Sequence, residues 1–209
     1  MRIDERKVLK LENIISEILP LTADTSQFNR VFIPIEHDFS LELANENNLN
    51  IYHLRTENRR FKYEDLTNFC VGNLSQYIFN RKTVKQAKSQ ADIQILYNRG
   101  RKQLREVRNE NDSGAGGELG ELLLYLFLEN CLHAPKLLSK MEIKTTRNQY
   151  IYGADGLHLY MTKDKYGNML YQFVIGEAKI KNDILDATRV AFDSIRKSID
   201  EIDIETALV

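Results

Sequence analysis

The chain predicts an α/β (α+β) protein, with a C-terminal core of helix, three strands and helix, and a smaller, mostly helical N-terminal lobe. Three observations carry that expectation. Residues 118–132 (ELGELLLYLFLENCL) are apolar almost all round, as a buried helix must be. Residues 150–179 read as two apolar strands joined by the polar turn KDKYGN. Ile184, Leu185, Ala191, Phe192, Ile195 and Ile199 then form an amphipathic stripe of helical period.

In chain order, the first element is a helix over 4–19, with Val8, Leu11, Ile14, Ile15, Ile18 and Leu19 at helical spacing and Pro20 ending the run. Short strand-like pieces follow at Val31–Ile35, Phe39–Leu43 and Ile51–Leu54, with ENNLN as a turn. A helix over Tyr63–Phe79 carries Leu66, Phe69, Cys70, Leu74, Tyr77 and Ile78 on one side. A second, more polar helix over Val84–Val107 ends in a basic run: Arg99, Arg101, Lys102, Arg105 and Arg108. That run is either a solvated helix face or a phosphate-contacting or partner-docking patch, with Arg101, Lys102 and Arg105 the candidates for DNA contact. Tyr97 alone does not make a base-stacking platform.

The composition shifts at Asn109–Gly117 (NENDSGAGG), which places a boundary between an N-terminal α/β accessory lobe over 1–110 and a second domain over 111–209. Beyond the buried helix the expected strands are Met141–Thr146, Tyr150–Met161 and Met169–Lys179. Asn182 or Asp183 caps the last helix, which runs to Ile199. The tail IDEIDIETALV reads as another strand.

Composition bounds the function classes. The chain has 209 residues, 43% of them hydrophobic, enough for one substantial core or a core and a smaller lobe. Charged residues make up 28% yet the net charge is only −1, so any nucleic-acid contact must come from local patches. No run approaches the ~18 apolar residues of a membrane span. The start, MRIDERKVLK, lacks the apolar stretch of a secretion signal. Cys70 and Cys131 lie in apolar, helix-like stretches, where buried free thiols in a reducing cytoplasm are expected. No Cys/His spacing suits zinc.

The chemistry lies in acids that interrupt apolar strands. Asp155 stands between Gly153 and Gly156, and Glu177 is followed two residues on by Lys179. A strand's period of two puts Glu177 and Lys179 on the face of Tyr171, Phe173 and Ile175. An ion pair ending such an apolar stripe needs compensation, which a divalent metal or a structural partner supplies. Glu118 and Glu121 share a helix face that Tyr125 continues. Both favour the positive helix end, but Glu121 lies deeper in the apolar run, where an unpaired carboxylate is expensive.

Hard cations such as magnesium take oxygen ligands and keep several waters. Asp155 and Glu177 would supply carboxylates, the Ala178 carbonyl a further oxygen, and Glu121 would reach the metal directly or through water. Lys179 would orient or deprotonate the attacking water and stabilise charge developing on phosphorus. His158, at odd spacing from Asp155, is structural. So is a second acid-x-Lys match, Glu142–Lys144, which has no neighbouring acid.

The helix–strand–strand–strand–helix pattern with D…ExK resembles the PD-(D/E)XK nuclease superfamily and its restriction-endonuclease-like core. GELGELL, then GADGLH, then GEAK, behind a helical N-terminal lobe, look like the HamA family, the nuclease subunits of the Hachiman anti-phage defence system, and the related AbpA proteins. The likeness is strongest from Gly117 to Ile199. It maps the family's acid, acid and lysine onto Asp155, Glu177 and Lys179, and its helical glutamate onto Glu121, with Glu118 the second choice. It implies a cytoplasmic, Mg2+-dependent deoxyribonuclease, with Mn2+ as a substitute. DNA is then the substrate and a superfamily 2 helicase (HamB-like) the partner, with no membrane association. The chain is short at its C-terminus against that pattern, where a final strand or docking element is expected. The alternative is a non-catalytic nuclease-fold module that docks a helicase or binds DNA ends.

Overall fold

A computed structural model describes residues 17, 19–38, 49–107, 116–139 and 155–206, with the side chains of 103–107 and 198–206 left aside. The architecture is mixed helix and small antiparallel sheets, an α+β arrangement. Three two-stranded sheets, and no barrel, occur among the described residues. The chain divides into two compact units, Asp24–Asn73 and Met1–Ala23 with Leu74–Val209. The boundary expected at Asn109–Gly117 falls mostly on residues 108–115, outside the described residues.

The smaller unit contains α1 (Phe28–Val31), β1 (Phe32–Ile35), β2 (Ile51–Leu54), β3 (Thr56–Glu57), β4 (Arg60–Phe61) and the first turns of α2 (Tyr63–Ile78). Val31 ends a helical turn, so the strand expected from Val31 begins at Phe32. Phe28 is the hub of its core, with ring centroids 5.1 Å from Phe32 and 6.2 Å from Phe69. Asn58 and Arg59, at φ 51° and 62°, form the two-residue link between β3 and β4, a left-handed pair of the kind tight hairpins demand. Buried Asn73 clasps the unit's two ends: the Asp24 N–H donates to its Oδ1 at 2.7 Å, and its Nδ2 donates to the Asp24 carbonyl at 3.1 Å. The strand expected at Phe39–Leu43 lies outside the described residues.

The larger unit holds the end of α2, then α3 (Arg81–Gln86), α4 (Gln90–Val107), α5 (Gly116–Cys131), β5 (Gly156–Lys163), β6 (Met169–Gly176) and α6 (Ile184–Thr206). The single helix expected over Val84–Val107 is broken at 87–89. Ser89 and Asp92 form a reciprocal cap there, the Asp92 N–H donating to Ser89 Oγ and the Ser89 N–H to Asp92 Oδ2, each at 3.1 Å. The core gathers Tyr77, Ile78, Phe79, Leu96, Leu122, Tyr125, Leu126, Leu128 and Leu159.

Fully buried Glu129 on α5 is the polar anchor of this core. Its carboxylate accepts from the backbone N–H groups of Thr22 (2.5 Å), Ala23 (2.6 Å) and Lys136 (3.0 Å), and from the Thr22 hydroxyl (2.9 Å). Lys136, also buried, donates from Nζ to the Phe79 carbonyl at 2.9 Å. Burying them is tolerable because the Glu129 carboxylate accepts four hydrogen bonds, while Lys136 Nζ has the Phe79 carbonyl and the Tyr125 ring, whose centre is 5.5 Å away.

β5 and β6 form a hairpin in register from Gly156↔Gly176 to Lys163↔Met169. Its turn is fixed by Asp164, whose carboxylate accepts from the N–H groups of Tyr166 and Asn168, both at 2.8 Å, and by Gly167 at φ 82°. On the other edge of β5, the Leu137 N–H donates to the Leu157 carbonyl at 2.8 Å and the Leu159 N–H to the Pro135 carbonyl at 3.0 Å. The strand expected at Met141–Thr146, and residues 150–154 of the next, lie outside the described residues.

Three expectations are corrected. β6 ends at Gly176, so Glu177 and Lys179 lie past the strand rather than in it. The stripe they were to close is largely exposed: Phe173 is 74% accessible, Tyr171 is exposed as well, and Ile175 is half-buried. The tail expected as a strand is helical through Thr206, in keeping with the helical spacing of Ile195, Ile199 and Ile202.

Candidate functional site

The site is built by the end of the β5–β6 hairpin farthest from its turn. Asp155 immediately precedes β5 and Glu177 immediately follows β6, so the Gly156↔Gly176 pairing sets the two segments side by side. The Asp155 N–H donates to the Gly176 carbonyl at 3.1 Å. In return the Ala178 N–H donates to Asp155 Oδ2 at 2.8 Å, which fixes the carboxylate against the Glu177–Ala178–Lys179 segment. Lys179 Nζ is ion-paired with Glu177 Oε1, and the Glu177 side chain is only 6% exposed against 26% for Lys179. The structure thus brings Asp155, Glu177, Ala178 and Lys179 together.

α5 lies close to this end at two glycines. A Cβ at Gly176 would fall 2.7 Å from Leu124 Cδ2, and one at Gly120 would fall 3.4 Å from the Ala178 Cβ and from Ile180 Cγ1. The first distance is one that real side chains do not show, so any side chain at Gly176 would push the end of the Leu124 side chain aside. Beside Gly120 stands Glu121, half-buried, whose Oε2 accepts a hydrogen bond of 2.8 Å from the Tyr77 hydroxyl.

Tyr77 comes from the end of α2. Its ring is buried against Tyr125, with centroids 5.8 Å apart. Burial pushes its hydroxyl well above the ordinary phenol range, and the negative charges of Glu118 and Asp155 push it further. It therefore stays protonated, a neutral donor among three carboxylates.

The remaining candidates lie elsewhere. Arg101 and Lys102 are exposed on α4, the Arg101 guanidinium 5.8 Å from the centre of the Tyr97 ring. Arg105 is on the same helix, and its side chain lies outside the described residues, as does all of Arg108. Arg99 packs over Phe79 at 5.5 Å. His158 is buried and its Nδ1 lies 2.7 Å from the Ala134 carbonyl, the place of a structural residue. Neither Cys70 nor Cys131 is in a disulfide, and burial pushes the Cys70 thiol up to about 11.

The residues that could hold a hard cation are the carboxylates of Asp155, Glu177 and Glu121 and the Ala178 carbonyl, an oxygen donor set that suits magnesium. Among the described residues, no three His, Cys, Asp or Glu side chains form a cage for a metal ion. Magnesium does not require one, since it binds through one or two carboxylates, retained waters and substrate phosphates. Asp155 and Glu177, on one hairpin end, fit that mode.

Sequence reasoning missed Tyr77, Gly176 and Glu129. A tyrosine in an apolar stripe needs a partner for its hydroxyl, and that was the available signal. Nothing local to Tyr77 names a carboxylate 44 residues away.

Fold and site together define an α+β protein with an acid–acid–lysine cluster at the mouth of a hairpin, backed by a glutamate-bearing buried helix. The HamA family profile matches residues 28–209, nearly the whole chain, and the chain belongs to the HamA family. Membership makes it a component of the Hachiman type of antiviral defence. No curated protein and no solved structure matches it. Among the described residues no helix is long and apolar enough to cross a membrane.

Proposed function

We propose that the chain is a metal-dependent DNA nuclease with a PD-(D/E)XK core, the effector subunit of a helicase–nuclease defence pair. The observation that carries this reading is the bond between the Ala178 N–H and the Asp155 carboxylate. It ties one acid to the segment that holds the other acid and the lysine.

Bound there, Mg2+ or Mn2+ would polarise a phosphodiester and acidify a bound water. Asp155 and Glu177 would hold it with the Ala178 carbonyl, and Glu121 would act directly or through a water. Lys179, one-quarter exposed, can leave Glu177 to meet the attacking water or the charge growing on a non-bridging oxygen. Buried Glu177 stays put while this happens. Arg101 and Lys102 are candidates for contact with the DNA backbone, and the near-neutral net charge suits a subunit whose affinity for DNA comes largely from a helicase partner.

A second reading, a non-catalytic module that docks a helicase or grips DNA ends, draws on the direct Glu177–Lys179 pairing and on the lack of a three-acid cage among the described residues.

Cleavage of plasmid and linear DNA in Mg2+ and Mn2+, with and without the co-purified partner, separates the two. Glu177→Ala and Lys179→Ala are expected to lower cleavage by at least ~100-fold, on the scale of losing an electrostatic catalytic group, while circular dichroism and melting stay near wild type. DNA left intact by the wild-type protein under every condition, or cut equally by both variants, would end the enzymatic reading.

A further inference from the structure

We propose that the β3–β4 hairpin and the start of α2 form a binding site for single-stranded nucleic acid, in which Phe61 and Tyr63 stack bases while Arg59 and Arg60 hold phosphates. The site is built only from residues of the smaller unit and does not draw on the nuclease reading.

Four observations converge on it. Phe61 and Tyr63 leave 50% and 61% of their surface in water. Their ring centroids are 5.9 Å apart with the planes at 62°, an edge-to-face pair in which one ring keeps its faces off its neighbour. With Glu57, Arg60, Lys62 and Glu64 they line an open cleft of about 590 Å3, the size of a small-ligand pocket and wide enough for a base. Finally, the hairpin tip carries a cation that turn chemistry does not explain. The second left-handed place of such a turn is usually glycine's, and Arg59 holds it at φ 62°.

The charges around the cleft differ in their commitments. Lys62 Nζ donates to Glu57 at 2.7 Å and lies 3.9 Å from Asp65, so those three answer one another. Glu64 stands in the first turn of α2, where the positive helix end favours it. Arg59 and Arg60 are exposed, and among the described residues neither forms an ion pair. Unpaired guanidinium groups beside exposed rings match the alternation of phosphate and unstacked base along a single strand. A duplex keeps its bases stacked on one another and offers the rings nothing.

The test uses the full chain in EDTA, which suppresses metal-dependent cleavage. Its probe is a fluorescein-labelled oligothymidylate of about twelve nucleotides, within the usual site size of a single-strand binder, followed by anisotropy. Phe61→Ala and Tyr63→Ala are each expected to weaken binding about 10-fold, the scale of one lost base stack. Arg60→Gln should lower the log–log salt slope by about 0.7, one phosphate contact on a single strand. Tyr166→Ala removes a tyrosine that is 77% exposed, with Lys165 Nζ 5.1 Å from its ring centre, and should leave binding unchanged. An unlabelled duplex of the same length should compete roughly 10-fold less well than the single strand.

Binding equal to wild type in both ring variants overturns the proposal. So does an equal loss in Tyr166→Ala, or a duplex that competes as well as the single strand. If a ring variant does not fold, an unchanged salt slope in Arg60→Gln overturns it instead. Wild-type protein that leaves the strand unbound also overturns it and assigns the exposed rings to a protein partner, while the nuclease reading stands or falls on its own assay.

Discussion

His158 illustrates how a single residue records its surroundings. It is 2% exposed, and its Nδ1 can meet the Ala134 carbonyl only as a donor, which selects the neutral tautomer with the proton on Nδ1. Burial lowers its pKa from the ordinary 6.5, against the raising effects of the Ala134 bond and of Glu129, while Lys136 and Arg81 lower it further. The folded state therefore binds this proton less readily than the unfolded chain. The stabilisation is full above the unfolded pKa and is lost as pH falls through about 6.5 toward the folded value. The urea midpoint is accordingly expected to drop between about pH 7.5 and 5.5, and to drop less in His158→Gln; equal slopes in the two proteins would refute the assignment. The structural role of His158 was legible in its odd spacing from Asp155. The meeting of Asp155 with Glu177 and Lys179 was legible too, because a polar turn between two apolar strands dictates a hairpin whose ends are neighbours. Tyr77 was not legible, since tertiary packing alone chooses which carboxylate a buried phenol finds.

At the scale of elements, the presence of α2, α5 and the hairpin follows from periodicity, whereas the ends and breaks follow from hydrogen bonds that periodicity does not weigh. The gap between α3 and α4 is such a case. Ser89 and Asp92 spell a helix start, and the start overrides the polar pattern that runs through it. Removing the Ser89 hydroxyl by Ser89→Ala is expected to cost about 1 kcal/mol, the usual worth of an N-cap oxygen. Urea unfolding followed by far-ultraviolet circular dichroism measures it, and a change below ~0.3 kcal/mol would show that the cap is dispensable. Gly176 teaches the same lesson in reverse. A glycine closing an apolar strand looks like an ordinary strand end, and only the structure shows that the Leu124 side chain of α5 packs into the space beside it.

At the scale of the whole molecule, the larger unit is assembled from both ends of the chain: Thr22 and Ala23 donate to Glu129, and Phe79 accepts from Lys136. A fragment beginning at residue 111 keeps α5 and the hairpin but leaves Glu129 and Lys136 buried without those partners, each loss worth roughly 1–3 kcal/mol. Such a fragment is expected to lack the cooperative thermal transition expected of the full chain; a sharp calorimetric peak from the fragment would contradict this. That dependence was invisible to composition, which marked its clearest shift near residue 110 because glycine and polar residues cluster there. The Asn73–Asp24 clasp has a consequence of its own. The span from 24 to 73 has ends that meet, and α2 carries the chain on from it without a break into the larger unit. On the ribosome Thr22 emerges 107 residues ahead of Glu129, so the buried carboxylate meets its N-terminal donors only after all of that chain has been made.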